Sequence, residues 1–191
     1  MNEQSAVEWI GALAGLVCVW LVARANIWNW PVSIVNTTLY FVVFLRARLY
    51  GDALLQVVFT LLGVYGWWSW RFGGAQGAEL LLRRATRAQV GGAVATSCAG
   101  IAFSALVLAR ATDSPVPIWD SSVLVLSLVA TWAQARKLLE SWWVWILVDV
   151  ISVPLYIARE LYPTALLYAL FLAICVVGLR RWTQLLREQE S

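Results

Sequence analysis

The chain has 191 residues, of which 61% are hydrophobic and only 13% are charged, whereas charged residues make up about a quarter of an ordinary globular domain. This composition excludes a water-soluble domain and makes lipid the solvent for most of the surface. The net charge is +3, but the basic residues lie between apolar stretches, which argues against nucleic-acid binding. Histidine is absent, and Cys18, Cys98 and Cys175 lie in different apolar stretches, so we expect neither a disulfide nor a metal site.

Seven apolar stretches approach the roughly 20 residues that a helix needs to cross a bilayer core of about 30 Å. Glu3 and Glu8 precede or open the first stretch and no Lys or Arg does, which predicts a retained helix instead of a cleaved signal peptide. The longest interruption, residues 71–89, predicts a surface loop with a short amphipathic segment. The predicted helices cover residues 7–25, 28–45, 53–70, 90–109, 119–135, 141–158 and 162–179.

Seven crossings place the two termini on opposite sides of the membrane, and the basic residues indicate which side is cytoplasmic. Four of them fall on one side, namely Arg46, Arg48, Arg110 and Arg159, and the other ten fall on the opposite side. By the positive-inside rule the richer side faces the cytoplasm. We therefore predict a multi-pass protein with its N-terminus outside and its C-terminus in the cytoplasm.

Sliding the chain against itself by 112 residues superposes the first three predicted helices on the last three without gaps. The matched pairs include Trp20 and Trp132, Arg24 and Arg136, Trp30 and Trp142, Tyr50 and Tyr162, Gly66 and Gly178, and Trp70 and Trp182. Four crossings separate equivalent points, so the halves run in the same direction, as in the SWEET sugar facilitators. The pattern predicts an all-α integral membrane bundle with repeats at 1–71 and 113–191 and a linker at 72–112; convergent composition is the alternative.

The seam between two such repeats is where transporters hold their substrate, near the membrane midplane. On the sixth predicted helix, one face carries Trp142, Trp145, Asp149, Ser152 and Tyr156, and the equivalent face of the second helix carries Trp30, Ser33, Thr37, Tyr40 and Phe44. Asn36 lies beside the second stripe and Gln56 lies on the third helix. Amides in lipid need polar partners, so both are candidates for binding, whereas tryptophans at helix ends are more often interfacial anchors.

Asp149 is the most informative residue, because a carboxylate near the centre of a membrane helix costs about 2.5 to 3.5 kcal/mol on insertion scales. Every basic residue falls at a helix end or in a loop, so the sequence offers it no ion-pair partner. Three interpretations remain: a protonated acid bonded to Ser152 or Thr37, a coupling-ion site, or a counter-charge for a cationic ligand held among aromatic rings. Asp120 is weaker evidence, since it can equally stabilise the N-terminus of the fifth helix.

Several motifs, in order along residues 8–182, resemble those of the bacterial nicotinamide riboside transporters of the PnuC type. They are Trp119-Asp120-Ser121, Glu140-Ser141-Trp142 leading into Val150-Ile151-Ser152, Asn36-Thr37-Thr38-Leu39, Leu49-Tyr50, Leu54-Leu55-Gln56 and Tyr65-Gly66-Trp67. The resemblance implies a SWEET-like bundle of three, one and three helices in the bacterial inner membrane, usually a homotrimer. It also implies facilitated diffusion, with a cytoplasmic kinase trapping the product.

The resemblance further implies a site built from Trp119, Asn36, Gln56 and the position of Asp149, at which some members carry Asn. Related members carry thiamine or riboflavin. Nicotinamide riboside joins a pyridinium cation to a carboxamide and a ribose, which suits one carboxylate among amides, hydroxyls and rings. Thiamine is also cationic and aromatic, whereas riboflavin is neutral and gains nothing from an unpaired carboxylate.

These observations predict a transporter that takes up nicotinamide riboside, or thiamine or another B vitamin, by rocking of the two repeats around a central site. Its substrate-binding residues are predicted to be Asn36, Thr37, Tyr40, Gln56, Trp119, Asp120, Trp145, Asp149, Ser152 and Tyr156. No GxxxxGK[ST] segment is present, and we expect no cofactor and no enzymatic activity. The alternatives are a substrate-binding subunit of a larger vitamin importer, an intramembrane enzyme and a scaffold without a ligand.

Overall fold

A computed structural model of the protein describes residues 3–46, 48, 50–112 and 115–190, and the side chains of 3–10, 12 and 190 are left aside. Within these ranges the chain forms seven α-helices and one short 3-10 turn, Ala75–Gly77. The predicted helices are confirmed, but the last one is longer than predicted and continues to Glu190. The helices are α1 (Glu3–Ala23), α2 (Asn29–Arg46), α3 (Tyr50–Phe72), α4 (Arg87–Ala111), α5 (Pro117–Ala135), α6 (Ser141–Ala158) and α7 (Tyr162–Glu190).

Five helices of the described residues, α3 to α7, are long and apolar enough to cross a bilayer by length and composition. In α1 the apolar part is shorter, Leu13–Ala23. Polar residues lower the hydropathy of α2, and two of them, Asn29 and Thr37, are buried inside the bundle. Because apolar side chains also cover much of the outer surface, the fold is an all-α integral membrane bundle.

Six of the helices close into a ring. Around it α1 packs on α2, α2 on α3, α3 on α5, α5 on α6, α6 on α7, and α7 on α1. The linker helix α4 packs on α5 outside the ring, and most of its surface is exposed. The contacts of α1 with α7 and of α3 with α5 are therefore the two seams between the repeats.

Four buried tryptophans meet at the end of the ring where α1 and α5 end, and we call them the tryptophan cluster: Trp30, Trp70, Trp142 and Trp182. Each is at most 2% exposed. The ring centroids of Trp30 and Trp70 lie 5.6 Å apart at 87°, and those of Trp142 and Trp182 lie 5.4 Å apart at 88°. These four residues are interior packing groups and not interfacial anchors, a role that suits the exposed tryptophans such as Trp28.

The tryptophan cluster joins the repeats through two hydrogen bonds. The indole N–H of Trp70 donates to the Gln134 carbonyl at 3.0 Å, and that of Trp182 donates to the Val22 carbonyl at 3.0 Å. Each bond runs from the last helix of one repeat to the first helix of the other. Both donors and both acceptors are related by the offset of 112 residues, which shows that the sequence repeat is also a repeat of contacts.

Two glycines make room for the tryptophan cluster. A Cβ atom on Gly66 would lie about 2.5 Å from the six-membered ring of Trp30, and one on Gly178 would collide in the same way with Trp142. These rings therefore pack directly on the backbone of α3 and α7. The close approach explains why glycine occupies both positions of the matched pair.

The segment between α3 and α4 differs from its prediction. Residues 78–86, which we call the strap, are extended and not helical, so the predicted amphipathic segment is wrong. The Arg83 N–H donates to the Lys137 carbonyl at 3.1 Å, and the Leu139 N–H donates to the Arg83 carbonyl at 3.0 Å. Because this turn between α5 and α6 satisfies the strap's backbone, the segment does not need a helix of its own.

A lysine holds the strap to the bundle. The Lys137 ammonium donates to the Leu80 carbonyl at 2.7 Å and lies 4.7 Å from the ring centroid of Trp70. Burial lowers the pKa of Lys137, and the nearby carboxylate of Glu79 opposes that shift. Leu82 of the strap packs into the same core as the tryptophan cluster, so the strap covers this end of the ring.

We predict that Gly66→Ala and Gly178→Ala each lower the stability of the detergent-solubilised protein by about 1 to 3 kcal/mol, because the new methyl group overpacks the tryptophan ring. Thermal unfolding measures the loss. Gly91→Ala is the matched control, since nothing lies within 4 Å of its added Cβ in α4. Equal stability of Gly66→Ala and Gly91→Ala would contradict the close packing.

We also predict that Glu140→Ala speeds amide hydrogen exchange across the strap, because the Glu140 carboxylate accepts the Ala85 N–H at 2.7 Å. Hydrogen exchange with mass spectrometry measures the change. Glu79→Ala is the control, since its ion pair with Arg71 at 3.6 Å is exposed on both sides. The explanation fails if both variants exchange like the parent.

Candidate functional site

A cavity of about 230 Å³ lies inside the ring, between the two repeats. Among the described residues, its walls come from α1, α2, α3, α5, α6 and α7, whereas α4 contributes none. It extends from the tryptophan cluster, through Trp30 and Trp142, towards the middle of α6 and α7. This is the place at the seam where the sequence predicts a substrate.

Three of the predicted binding residues line this cavity: Asn36 of α2, and Trp145 and Asp149 of α6. Trp145 and Asp149 are one helical turn apart, so they share a face as the stripe predicts. Ser33, which belongs to the matching stripe, lines the cavity as well. The two facing stripes therefore do meet across the cavity.

Asp149 is only 2% exposed, and its Oδ2 atom has no hydrogen-bond partner among the described residues. Its hydrogen-bonding neighbour is the thiol of Cys175 on α7. The interpretation of an acid bonded to Ser152 or Thr37 is wrong, because neither hydroxyl is hydrogen-bonded to it. A carboxylate oxygen that lines a cavity without a protein partner is available to a ligand.

Thr37 and Ser152 are buried but do not line the cavity. The Thr37 hydroxyl donates to the Ile34 carbonyl at 3.1 Å and forms a hydrogen bond of 2.7 Å with the Thr60 hydroxyl. It thus links α2 to α3. The Ser152 hydroxyl has no partner among the described side chains and backbone groups.

An aromatic layer closes the ring beyond the cavity, on the side away from the tryptophan cluster. Tyr40 stacks on Phe44 with centroids 5.7 Å apart, and Tyr156 packs on Tyr168 at 5.1 Å. Of these four rings, that of Tyr168 lines the cavity. Gln56 is half-buried on α3 and also lies outside the lining, so binding by Tyr40, Tyr156 and Gln56 stays a prediction.

Trp119 and Asp120 lie at the start of α5, away from the cavity lining. The ring of Trp119 is 51% exposed. Asp120 accepts two hydrogen bonds from the Arg159 guanidinium, both at 3.0 Å. This ion pair ties the start of α5 to the end of α6, a structural role that the sequence left open beside ligand binding; the predicted binding roles of both residues stay untested.

The structure adds a polar face that was not predicted from the sequence. Ser127, Thr131 and Gln134 of α5 all line the cavity, and their spacing of four and three residues places them on one helix face. The Gln134 side-chain oxygen accepts the Trp145 indole N–H at 2.6 Å. The same spacing rule that found the stripes of α2 and α6 would have found this one.

The composition of the cavity suits binding and not catalysis. Asp149 is one carboxylate among amides, hydroxyls and aromatic rings, and no group of three or more potential metal ligands occurs in the described residues. Aromatic faces and a carboxylate together attract a planar cation, and amides offer it hydrogen bonds. The arrangement can hold a small, polar, aromatic molecule between the repeats.

Comparison with known proteins agrees with this geometry. The family model described as nicotinamide mononucleotide transporter matches residues 5–184. The nicotinamide riboside transporter PnuC of Escherichia coli strain K12 is 31% identical over 214 aligned positions, which cover 99% of this chain and 90% of that protein. The riboflavin/roseoflavin transporter RibM of Streptomyces davaonensis is 32% identical over 178 positions, covering 92% of this chain and 83% of that protein.

A solved structure has the same fold. The crystal structure of the vitamin B3 transporter PnuC matches with a TM-score of 0.76 and 25% sequence identity, over 98% of this chain and 84% of that one. The resemblance based on the motifs is thus confirmed by sequence and by fold. Since the family model spans nearly the whole chain, this protein belongs to the nicotinamide mononucleotide transporter family.

Proposed function

We propose that this protein takes up nicotinamide riboside across the bacterial inner membrane by facilitated diffusion. The observation that carries the proposal is the buried Asp149 carboxylate, whose free oxygen faces the cavity between the repeats. The proposal also draws on the PnuC relatives, which are named for nicotinamide riboside. It assigns no catalytic step, cofactor or metal to the chain.

The chemistry of the cavity favours a cationic aromatic ligand over a neutral one. Asp149 supplies a negative charge, and the rings of Trp145 and Tyr168 line the same space. A pyridinium ring held between such faces gains both charge attraction and cation–π contact. Asn36 and Gln134 add amides that can pair with a carboxamide or with ribose hydroxyls.

The proposed mechanism is alternating access. The ring has two seams, α1 with α7 and α3 with α5, and rocking of residues 1–71 against 113–191 would open the central site to each face in turn. Residues 72–112 are the linker in this division. We further propose an N-terminus outside, a C-terminus in the cytoplasm and a homotrimeric assembly.

Riboflavin transport is the second candidate, because RibM is about as similar to this chain as PnuC of Escherichia coli. A flavin is neutral and larger, so it has no use for the charge of Asp149. Thiamine is a cation and would use that charge. Comparing a cationic with a neutral ligand therefore separates these substrates.

We predict that Asp149→Asn weakens the binding of nicotinamide riboside by roughly 30-fold or more, about 2 kcal/mol, because a buried cation loses its counter-charge. Titration calorimetry of the purified protein measures the change. Asp52→Asn is the matched control, since Asp52 is exposed at the start of α3. Equal weakening of nicotinamide riboside and riboflavin by Asp149→Asn would remove the counter-charge role.

We also predict that joining α1 to α7 across their seam abolishes uptake into liposomes. Gly15 and Phe171 face each other there, with an added Gly15 Cβ only 3.2 Å from the phenyl ring. In a background with Cys18→Ala, Cys98→Ala and Cys175→Ser, the pair Gly15→Cys and Phe171→Cys is bridged by a short bifunctional methanethiosulfonate. Flux should stop, because the repeats can no longer rock.

The cross-link carries its own controls. A reductant cleaves the bridge and should restore flux, and the variant with Gly15→Cys alone should keep flux after the same treatment. Transport at the untreated rate through fully bridged protein would reject alternating access by movement of this seam. Uptake by purified protein in liposomes also rejects the role of a binding subunit that needs a partner.

A further inference from the structure

The four indole N–H groups of the tryptophan cluster are not equivalent. Those of Trp70 and Trp182 donate to backbone carbonyls across the seams. Those of Trp30 and Trp142 have no acceptor among the described residues, although the two side chains are only 2% and 1% exposed. Buried tryptophan N–H groups usually find a partner, so these two donors need an explanation.

The position of the two unpaired donors points to a ligand. Trp30 and Trp142 both line the cavity, whereas Trp70 and Trp182 do not. Their six-membered rings pack on the backbone of Gly66 and Gly178, so neither ring can turn to another acceptor without losing that contact. The donors are thus held at the cavity wall in one orientation.

The opposite requirement occurs farther along the same helix. Asp149 lies two helical turns after Trp142, a rise of about 10 Å, and its Oδ2 atom is an acceptor without a partner among the described residues. Both residues line one cavity. The cavity therefore has a donor end at the tryptophan cluster and an acceptor end in the middle of α6.

We propose that the indole N–H groups of Trp30 and Trp142 bind a neutral acceptor oxygen of the substrate, a carbonyl or hydroxyl, while its cationic part faces Asp149. The inference rests on the proposed function and deepens it by fixing the orientation of the ligand. Nicotinamide riboside carries such oxygens on its carboxamide and on its ribose. A ligand that has the cation but no acceptor oxygen would satisfy only one end of the cavity.

The test replaces single indoles by benzothienylalanine, a bicyclic side chain of nearly the same size in which sulfur stands in place of the N–H. It is introduced by nonsense suppression into the full-length protein as Trp30→benzothienylalanine and Trp142→benzothienylalanine. Titration calorimetry with nicotinamide riboside should show an affinity about threefold to tenfold lower for each. Thermal unfolding without ligand should be unchanged or improved, because an unpaired buried donor is removed.

The paired indoles of the same cluster are the matched controls. Trp70→benzothienylalanine and Trp182→benzothienylalanine leave the Gln134 and Val22 carbonyls without their donor, so unliganded stability should fall. Their affinity for nicotinamide riboside should change less than that of the first pair. This crossover between stability and affinity separates ligand binding from structural support.

A measurement on the unchanged protein does not depend on how the variants fold. In ¹⁵N-labelled protein, the indole N–H resonances of Trp30 and Trp142 should move downfield on addition of nicotinamide riboside, and those of Trp70 and Trp182 should move less. Adding 1-methylnicotinamide, which lacks the ribose, then locates the oxygen: a retained shift assigns the carboxamide and a lost shift assigns the ribose. Either result supports the proposal.

Two outcomes would overturn it. If wild-type protein binds nicotinamide riboside but Trp30→benzothienylalanine and Trp142→benzothienylalanine bind it equally well, the donors serve bound water or nothing, and the inference fails alone. It fails in the same way if none of the four indole resonances responds to the bound ligand. If the wild-type protein binds no nicotinamide riboside, the proposed function has failed and the indole inference falls with it.

Discussion

The structure depends on two indole hydrogen bonds that cross from one repeat to the other. In lipid, apolar surfaces gain little by associating, so helices are held by close packing and by internal hydrogen bonds. Trp70 and Trp182 supply both, since their rings fill the centre of the cluster and their N–H groups bind carbonyls at the end of α5 and α1. These bonds close the ring of helices, and the cavity exists because the ring is closed there.

The contacts repeat faithfully, whereas the polarity does not. Thr37 in the first repeat corresponds to Asp149 in the second, and Val22 corresponds to Gln134. Backbone geometry and aromatic packing follow the offset of 112 residues, but the carboxylate and the amide occur only in the second repeat at these positions. A frame built twice from the same contacts thus holds a site with one charged wall, which suits an asymmetric ligand.

The strap makes the two ends of the bundle different as well. It pairs with the turn after α5, where Lys137 donates to Leu80, while the equivalent turn after α1 has Ala25 in place of that lysine. Both turns adopt a positive φ at this residue, 52° at Ala25 and 48° at Lys137. The same backbone shape therefore carries a strap on one repeat only, and the side chain makes the difference.

By itself the sequence determined the helices, the repeat, the family and the importance of Asp149, because apolar length, periodicity and an unmatched intramembrane charge are properties of the chain alone. The tertiary structure decided which tryptophans lie inside, that Gln134 rather than Gln56 lines the cavity, and that Asp120 pairs with Arg159. It also turned the predicted amphipathic segment into the strap. These outcomes rest on contacts between residues far apart in the chain, and no local pattern specifies which distant backbone or side chain will satisfy a given polar group.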